Sequence, residues 1–146
     1  MALPTLNFQG DLPEGLHKAN LAEIIERFGS GSEARQDATA VLQLIHQLAT
    51  KTGKLERFVI FGSYITAKAE PRDVDVVLVM KDDFSIAACD DKTRAIFDHQ
   101  RAEVEVGASI FWLCPSALLR GTLEDFLVGW GTKRDLTHRG IVEVTS

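Results

Sequence analysis

The sequence predicts an α/β (α+β) fold in which helices flank one mixed β-sheet. Two apolar runs, 58–61 and 74–80, are rich in β-branched and aromatic residues, which is typical of buried strands. Segments 20–28 and 30–51 instead place apolar residues at helical spacing. The chain has 146 residues and ordinary globular composition, so we expect a single domain, 1–146.

The first part of the chain is predicted to be irregular and then helical. Residues 1–18 contain prolines and glycines that favour an extended N-terminal segment. A helix over 20–28 begins at Asn20, with Glu23 three residues later as in a capping box. His17, just before this helix, is interpreted as a hydrogen-bonded structural histidine in preference to a ligand or base.

The middle of the chain is predicted to hold a long helix and two strands. The helix begins at Ser30 or Ser32 and ends near residue 51, before Gly53. The strands lie near 57–62 and 73–80 and form the centre of the sheet.

The last part of the chain is predicted to add two strands and two helices. A helix over 85–100 has a poor apolar pattern. The alternating residues of 104–113 predict a third strand, bulged at Gly107. A helix over 115–130 and a short strand over 141–144 complete the fold.

Composition restricts the function classes. The net charge is −5 and no basic run is present, which disfavours general nucleic-acid binding. Cys89 and Cys114 belong to no metal-binding motif and are expected to be free thiols. The first residues do not resemble a signal peptide, and no apolar stretch is long enough to span a bilayer. We therefore predict a soluble, cytoplasmic protein.

The candidate site lies between the two central strands. Asp73 and Asp75 are two residues apart, so they share one face at the start of a strand. Two carboxylates there are costly unless a cation lies between them, and Mg²⁺ (or Mn²⁺) suits such ligands together with phosphate oxygens. Gly62 allows close backbone approach, and Ser63 is expected to begin a short helix whose free N–H groups attract phosphate.

These residues resemble the signature of the nucleotidyltransferase superfamily, the fold of DNA polymerase β. Its pattern is Gly-Ser, a spacer of about ten residues, and Asp-x-Asp. A small bacterial branch of the superfamily is matched more fully, by Gly62, Ser63, Thr66, Lys68, Pro71, Asp73 and Asp75. The same branch often begins with Leu-Pro-x-Gly-x-His, which is matched by Leu12, Pro13, Gly15 and His17.

The resemblance implies a metal-dependent transfer of a nucleoside monophosphate from a nucleoside triphosphate to a hydroxyl, with release of pyrophosphate. Asp73 and Asp75 match the metal-binding pair. Gly62 and Ser63 are expected to hold the outgoing phosphates. Lys68 is a candidate for an additional positive charge beside them, and a solvated lysine without a role in the site is an equally good interpretation.

A third carboxylate in the superfamily comes from a later strand. Glu105 is our choice to complete both the catalytic set and the metal site, with Glu103 as the alternative on the same strand face. Alignment on the apolar run at 110–112 instead places Ser109 at the position of the acid, and serine cannot supply its charge.

Two other functions stay open. The chain could be a catalytically weak nucleotidyltransferase-fold protein that acts as an antitoxin or regulatory partner of a toxin-like protein. It could also be an ordinary α/β protein without a nucleotide site. Metal-dependent nucleotide binding separates the first two functions from the third, and pyrophosphate release separates the enzyme from the binding partner.

Overall fold

A computed structural model describes residues 3–146, which form one five-stranded mixed sheet with helices on its faces. The strands are β1 (Leu16–Asn20), β2 (Leu55–Phe61), β3 (Val74–Met80), β4 (Ala108–Leu113) and β5 (Ile141–Thr145). The α-helices are α1 (Leu21–Phe28), α2 (Glu33–Lys51), α3 (Asp91–Arg94), α4 (His99–Arg101) and α5 (Leu123–Val128). The predicted mixed α/β fold is confirmed.

The sheet has the strand order β1-β5-β2-β3-β4. β1 runs parallel to β5 and β3 runs parallel to β4, whereas β2 is antiparallel to both of its neighbours. The end of β2 therefore lies at the same edge of the sheet as the beginnings of β3 and β4. This edge is where the sequence places its candidate site.

The two N-terminal helices begin as their caps predict. The backbone N–H of Glu23 donates to Asn20 Oδ1 at 2.8 Å, and the Glu23 side chain accepts from the Asn20 backbone, so the capping box is present. The Ser32 side chain accepts from the Arg35 backbone N–H at 3.1 Å and caps α2, which settles the choice between Ser30 and Ser32.

The two faces of the sheet bury different amounts of apolar surface. Phe58 and Ile60 belong to the larger cluster, which includes the apolar faces of α1 and α2. Val59 and Val77 point to the opposite face, where they pack with Leu127 of α5. The apolar runs read from the sequence are buried on both sides because each side of the sheet is covered.

The N-terminal segment is less irregular than predicted. Residues 16–18 belong to β1, whose partner is β5, with Leu16 opposite Ile141. A strand whose partner lies at the other end of the chain leaves no local signal, because only the distant pairing provides its hydrogen bonds.

The prediction of a strand over 104–107 is wrong. Ala102–Val106 form a π-helical turn that continues α4 and ends at Gly107, which has a φ of 87°. The alternation of Glu and Val suggested a strand, but Ala102 and Val106 pack inward while Val104 is 86% exposed. Spacing of the inward residues by four favours a helical turn over a strand.

The two C-terminal helices are also shorter than predicted. The segment 85–100 contains only single turns of helix, including Ile86–Ala88 and Ala95–Phe97. Of 115–130, only α5 is α-helical, and 3₁₀ turns lie at Pro115–Ala117 and Gly129–Gly131. Among residues 3–146, no helix is long and apolar enough to cross a membrane.

Candidate functional site

A cleft of about 1120 Å³ opens at the edge of the sheet where β2 ends and β3 and β4 begin. It is walled by the turn after β2, the start of β3, the turn before β4 and the loop between α5 and β5. Its polar and aromatic lining includes Phe61, Ser63, Lys68, Arg72, Asp73, Asp75, Glu103, Ser109, Trp130, Lys133, Arg134 and Arg139. Gly62, Ser63, Lys68, Asp73 and Asp75 are thus brought together, as the sequence predicts.

The turn after β2 requires its glycine. Gly62 has a φ of 82°, and a β-carbon at this position would overlap the carboxylate of Asp75. The short helix predicted after it is a single 3₁₀ turn, Ser63–Ile65. The space beside the Gly62 backbone is therefore occupied by the Asp75 side chain.

Asp73 and Asp75 act on each other. The pKa of Asp75 is raised to about 7, mainly by burial and then by the charge of Asp73 and a hydrogen bond between the two carboxyls, while Ser109 and Arg139 act in the opposite direction. The Ser109 hydroxyl donates to Asp73 Oδ2 at 3.2 Å. Near neutral pH Asp75 is therefore able to keep a proton beside Asp73, or to exchange that proton for a cation.

The carboxylate pair fits a divalent metal ion held jointly with a ligand. Within the described part of the chain, no three His, Cys, Asp or Glu side chains are grouped so as to hold a metal by themselves. Mg²⁺ commonly uses only one or two protein carboxylates and takes its other oxygens from phosphate and water. Asp73 and Asp75 are the residues able to hold such an ion.

The third acid is not where we expected it. Ser109 lies directly opposite Asp75 in the β3–β4 register, as alignment on the apolar run suggests. Glu105 does not line the cleft; its carboxylate accepts hydrogen bonds from Arg101 at 2.6 and 3.1 Å. The helical turn before β4 directs Glu105 toward Arg101. In the predicted strand, Glu105 would instead have pointed toward the site.

Glu103 is the acid of this turn that lines the cleft. Its Oε1 lies 2.9 Å from His99 Nε2, and His99 Nδ1 lies 3.3 Å from the carbonyl oxygen of Ile110. The histidine ring also packs on Phe111, with ring centroids 4.7 Å apart. Glu103 is therefore held beside the cleft by a side chain that is itself fixed to β4.

Five cationic side chains line the cleft, namely Lys68, Arg72, Lys133, Arg134 and Arg139. Of these five cations, the sequence pattern predicts only Lys68 as a site residue. In residues 3–146, the side chains of Lys68, Arg72 and Arg134 make no hydrogen bond or ion pair, and all three are exposed. The signal available in the sequence was the basic character of 133–139, but nothing local showed that this loop folds over the site.

Asp11 holds the loop between α5 and β5 in place. Its side chain is 6% exposed and pairs with Lys133, and its Oδ1 lies 3.7 Å from Arg139 Nη1. Asp11 Oδ2 has no hydrogen bond of good geometry, so its contact with Lys133 is an ion pair alone. A buried carboxylate thus faces two of the cations of the cleft.

The Leu-Pro-x-Gly-x-His segment has a structural role. The carbonyl oxygens of Leu12 and Gly15 accept from the backbones of Gly140 and Ile141, at 2.9 and 3.0 Å. His17 is half-buried, and its Nε2 lies 2.7 Å from the carbonyl oxygen of Pro13. This segment joins the two ends of the chain behind the cationic loop, and His17 does not line the cleft.

Comparison with known proteins gives a family without an assigned activity. No curated protein and no solved structure matches the chain. The family model described as "Family of unknown function (DUF6932)" matches residues 4–145, which is nearly the whole chain. The chain therefore belongs to the DUF6932 family.

Proposed function

We propose that this protein is a metal-dependent nucleotidyltransferase that transfers a nucleoside monophosphate from a nucleoside triphosphate to a hydroxyl acceptor and releases pyrophosphate. The observation that carries the proposal is the meeting of the Gly62 turn and the Asp73–Asp75 pair in one cationic cleft. The fold of the nucleotidyltransferase superfamily and a cytoplasmic location are part of the same proposal.

The charge of the cleft supports a phosphate-rich ligand. The chain as a whole is acidic, with a net charge of −5, yet five of its cations line this cleft beside three acids. Side chains of Lys and Arg that are not paired within the protein are available to phosphate oxygens. Lys68 and Arg72 precede the carboxylate pair in sequence, and Arg134 lies on the loop beyond it.

The residues divide into three tasks. Asp73 and Asp75 would hold Mg²⁺, which when bound neutralises phosphate charge and polarises the α-phosphate. Ser63 and Lys68 bind the outgoing phosphates, and the other cations of the cleft add charge stabilisation. Positioning and charge neutralisation are the main needs of phosphoryl-type transfer, so few further groups are required.

Glu103 replaces Glu105 as our candidate for the group that accepts the proton of the acceptor hydroxyl. It lines the cleft with the aspartate pair, and His99 fixes its carboxylate. Its side chain is about half exposed, so an acceptor can reach it. A carboxylate within hydrogen-bond reach of the attacking hydroxyl is the geometric requirement for a general base.

A second candidate function is a nucleotide-binding antitoxin or regulatory partner of a toxin-like protein. It is favoured by Ser109, which lies opposite Asp75 and brings no charge. A site with two carboxylates can bind a metal–nucleotide complex while activating the acceptor hydroxyl poorly.

Two measurements on the purified protein test these functions. Trp130 lines the cleft while Trp112 donates to the Phe97 carbonyl oxygen outside it, so nucleotide binding is followed by Trp130 fluorescence in a Trp112→Phe background. Pyrophosphate release is then measured with each nucleoside triphosphate, with Mg²⁺ or Mn²⁺, and with candidate small-molecule and protein acceptors. Release supports the enzyme, and binding without release supports the regulatory partner.

Asp75→Asn is the decisive variant because it removes one charge and keeps the shape. We expect binding or turnover to fall about 100-fold. Asp37→Asn on the exposed side of α2 is the matched control and keeps wild-type behaviour. Equal nucleotide binding by wild type and Asp75→Asn, with and without metal, contradicts the proposed site.

A further inference from the structure

Arg35 is a buried cation without a carboxylate partner in the described residues. It lies in the first turns of α2, is 6% exposed, and takes part in no ion pair. Burial of a charged guanidinium is costly, and it lowers the pKa of Arg35. In some proteins a buried charge is retained at this cost because it fixes a particular geometry.

The partners of Arg35 show which geometry it fixes. Its Nη1 donates to the carbonyl oxygens of Phe28 and Tyr64 at 3.0 and 2.8 Å. Its Nη2 donates to those of Thr66 and Lys68, both at 2.5 Å. Three of the four carbonyls thus belong to the turn between β2 and β3, which carries Ser63 and Lys68 into the cleft.

Other side chains at the start of α2, including its N-cap Ser32, hold the same turn. The Ser32 hydroxyl donates to the Ala69 carbonyl oxygen at 2.7 Å. The hydroxyls of Thr39 and Tyr64 are hydrogen-bonded at 2.7 Å, and Thr39 also donates to the carbonyl oxygen of Arg35. The start of α2 is therefore a rigid backing for the turn, with the planar fork of Arg35 at its centre.

The direction of the carbonyl groups bears on the cleft. Arg35 does not line the cleft, so the carbonyl oxygens of Tyr64, Thr66 and Lys68 are directed away from it. Partial negative charges in the wall of the cleft would repel phosphate oxygens. By binding these oxygens, Arg35 keeps them out of the wall and fixes the backbone that carries Ser63 and Lys68.

We propose that Arg35 is a positioning residue that holds the turn between β2 and β3 in the conformation that binds the phosphates of a nucleotide. This inference rests on the proposed function, since it assigns a support to the same site. The alternative is a purely structural role, in which Arg35 joins the end of α1, through Phe28, to the start of α2.

The test compares Arg35→Lys and Arg35→Met with Arg27→Met. Lysine keeps the charge and loses the fork, so we expect Arg35→Lys to keep the fold even if Arg35→Met does not. Arg27 is the matched control because it also donates to two backbone carbonyls, those of Leu3 and Pro4, but is remote from the cleft. Circular dichroism first establishes that each variant is folded.

Two readouts separate positioning from simple support. Amide hydrogen exchange is measured for residues 63–69 and, as an internal reference, for β3. Affinity is measured for Mg²⁺·ATP and for inorganic tripolyphosphate. In Arg35→Lys we expect exchange in 63–69 to rise about tenfold or more with β3 unchanged, and both affinities to fall about tenfold or more. Arg27→Met is expected to change neither.

The possible outcomes decide the inference and the proposed function separately. Wild-type affinity in folded Arg35→Lys, or a uniform rise of exchange over 63–69 and β3 alike, overturns the positioning role. Wild-type protein that binds tripolyphosphate but not Mg²⁺·ATP contradicts the proposed function, and loss of tripolyphosphate binding in Arg35→Lys then still supports the role of Arg35. Wild-type protein that binds neither ligand overturns both.

Discussion

Gly62 lies against the carboxylate of Asp75, so closely that a β-carbon on residue 62 would overlap Asp75 Oδ2. Gly62 directly follows Phe61, the last residue of β2, and Phe61 pairs with Asp75 near the start of β3. The glycine is therefore needed twice, for its positive φ and for the space that the acid occupies.

Gly62→Ala is expected to damage the site more than the fold. The positive φ and the overlap together should lower the free energy of unfolding by about 1–3 kcal/mol, and displacement of Asp75 should abolish metal-dependent nucleotide binding. Gly53→Ala is the matched control, because Gly53 has a φ of 71° but open space around it. Chemical denaturation and Trp130 fluorescence measure the two effects, and nucleotide binding retained by Gly62→Ala contradicts the expectation.

Stability should depend on pH through Asp75. Its pKa is raised from 3.8 to about 7, so the folded protein still holds a proton at pH values where the unfolded chain has already released it. The stabilisation due to this proton is complete below pH 3.8 and is lost as the pH rises to about 7. The free energy of unfolding of wild type should therefore fall more steeply over this window than that of Asp75→Asn.

Mg²⁺ should change this pH profile. The cation favours the ionised pair, so it should stabilise wild type above pH 7 and have little effect on Asp75→Asn. Urea denaturation at several pH values, with and without Mg²⁺, measures both effects. Parallel profiles for the two proteins would show that Asp75 is not the titrating group.

The two glutamates of the turn before β4 should have different effects on transfer. Glu103→Gln should lower pyrophosphate release about 100-fold with little change in nucleotide affinity, because it removes a general base and no phosphate ligand. Glu105→Gln should leave release unchanged, since that carboxylate pairs with Arg101 away from the cleft. Loss of release in Glu105→Gln alone would restore our first assignment.

Asp11→Asn should loosen the loop between α5 and β5. Loss of the buried charge leaves the partly buried side chains of Lys133 and Arg139 without their anionic partner. We therefore expect a destabilisation of about 1–3 kcal/mol and weaker nucleotide binding. Trypsin should cleave faster after Lys133 and Arg134. Glu14→Gln is the control, because Glu14 meets the same loop only through an exposed contact of 3.9 Å with His138. Equal cleavage rates in both variants would argue against the role of Asp11.

The parts of the fold that the sequence predicts correctly are those with local causes. The strand around Phe58 and the helix after Asn20 follow from apolar periodicity and from a cap, which act within a few residues. The Asp73–Asp75 pair could be located because alternation along a strand is local too.

The errors have long-range causes. Segment 103–106 alternates like a strand, yet packing of Ala102 and Val106 makes it helical and directs Glu105 away from the site. Arg35 and Asp11 could not be assigned roles, because their partners lie in segments that only the folded chain brings near.

The uneven distribution of charge bears on how ligands reach the protein. The cleft holds five of the sixteen Lys and Arg residues and three of the twenty-one acids, so the remaining chain carries eighteen acids against eleven cations. A small polyanion is therefore attracted at the mouth of the cleft and repelled elsewhere, which steers its diffusion toward one encounter geometry. A long nucleic acid also faces the acidic surface outside the cleft, which repels it, so its diffusion is not steered in this way. Added salt should slow the capture of the small ligand, because screening weakens this attraction over distances beyond about 10 Å.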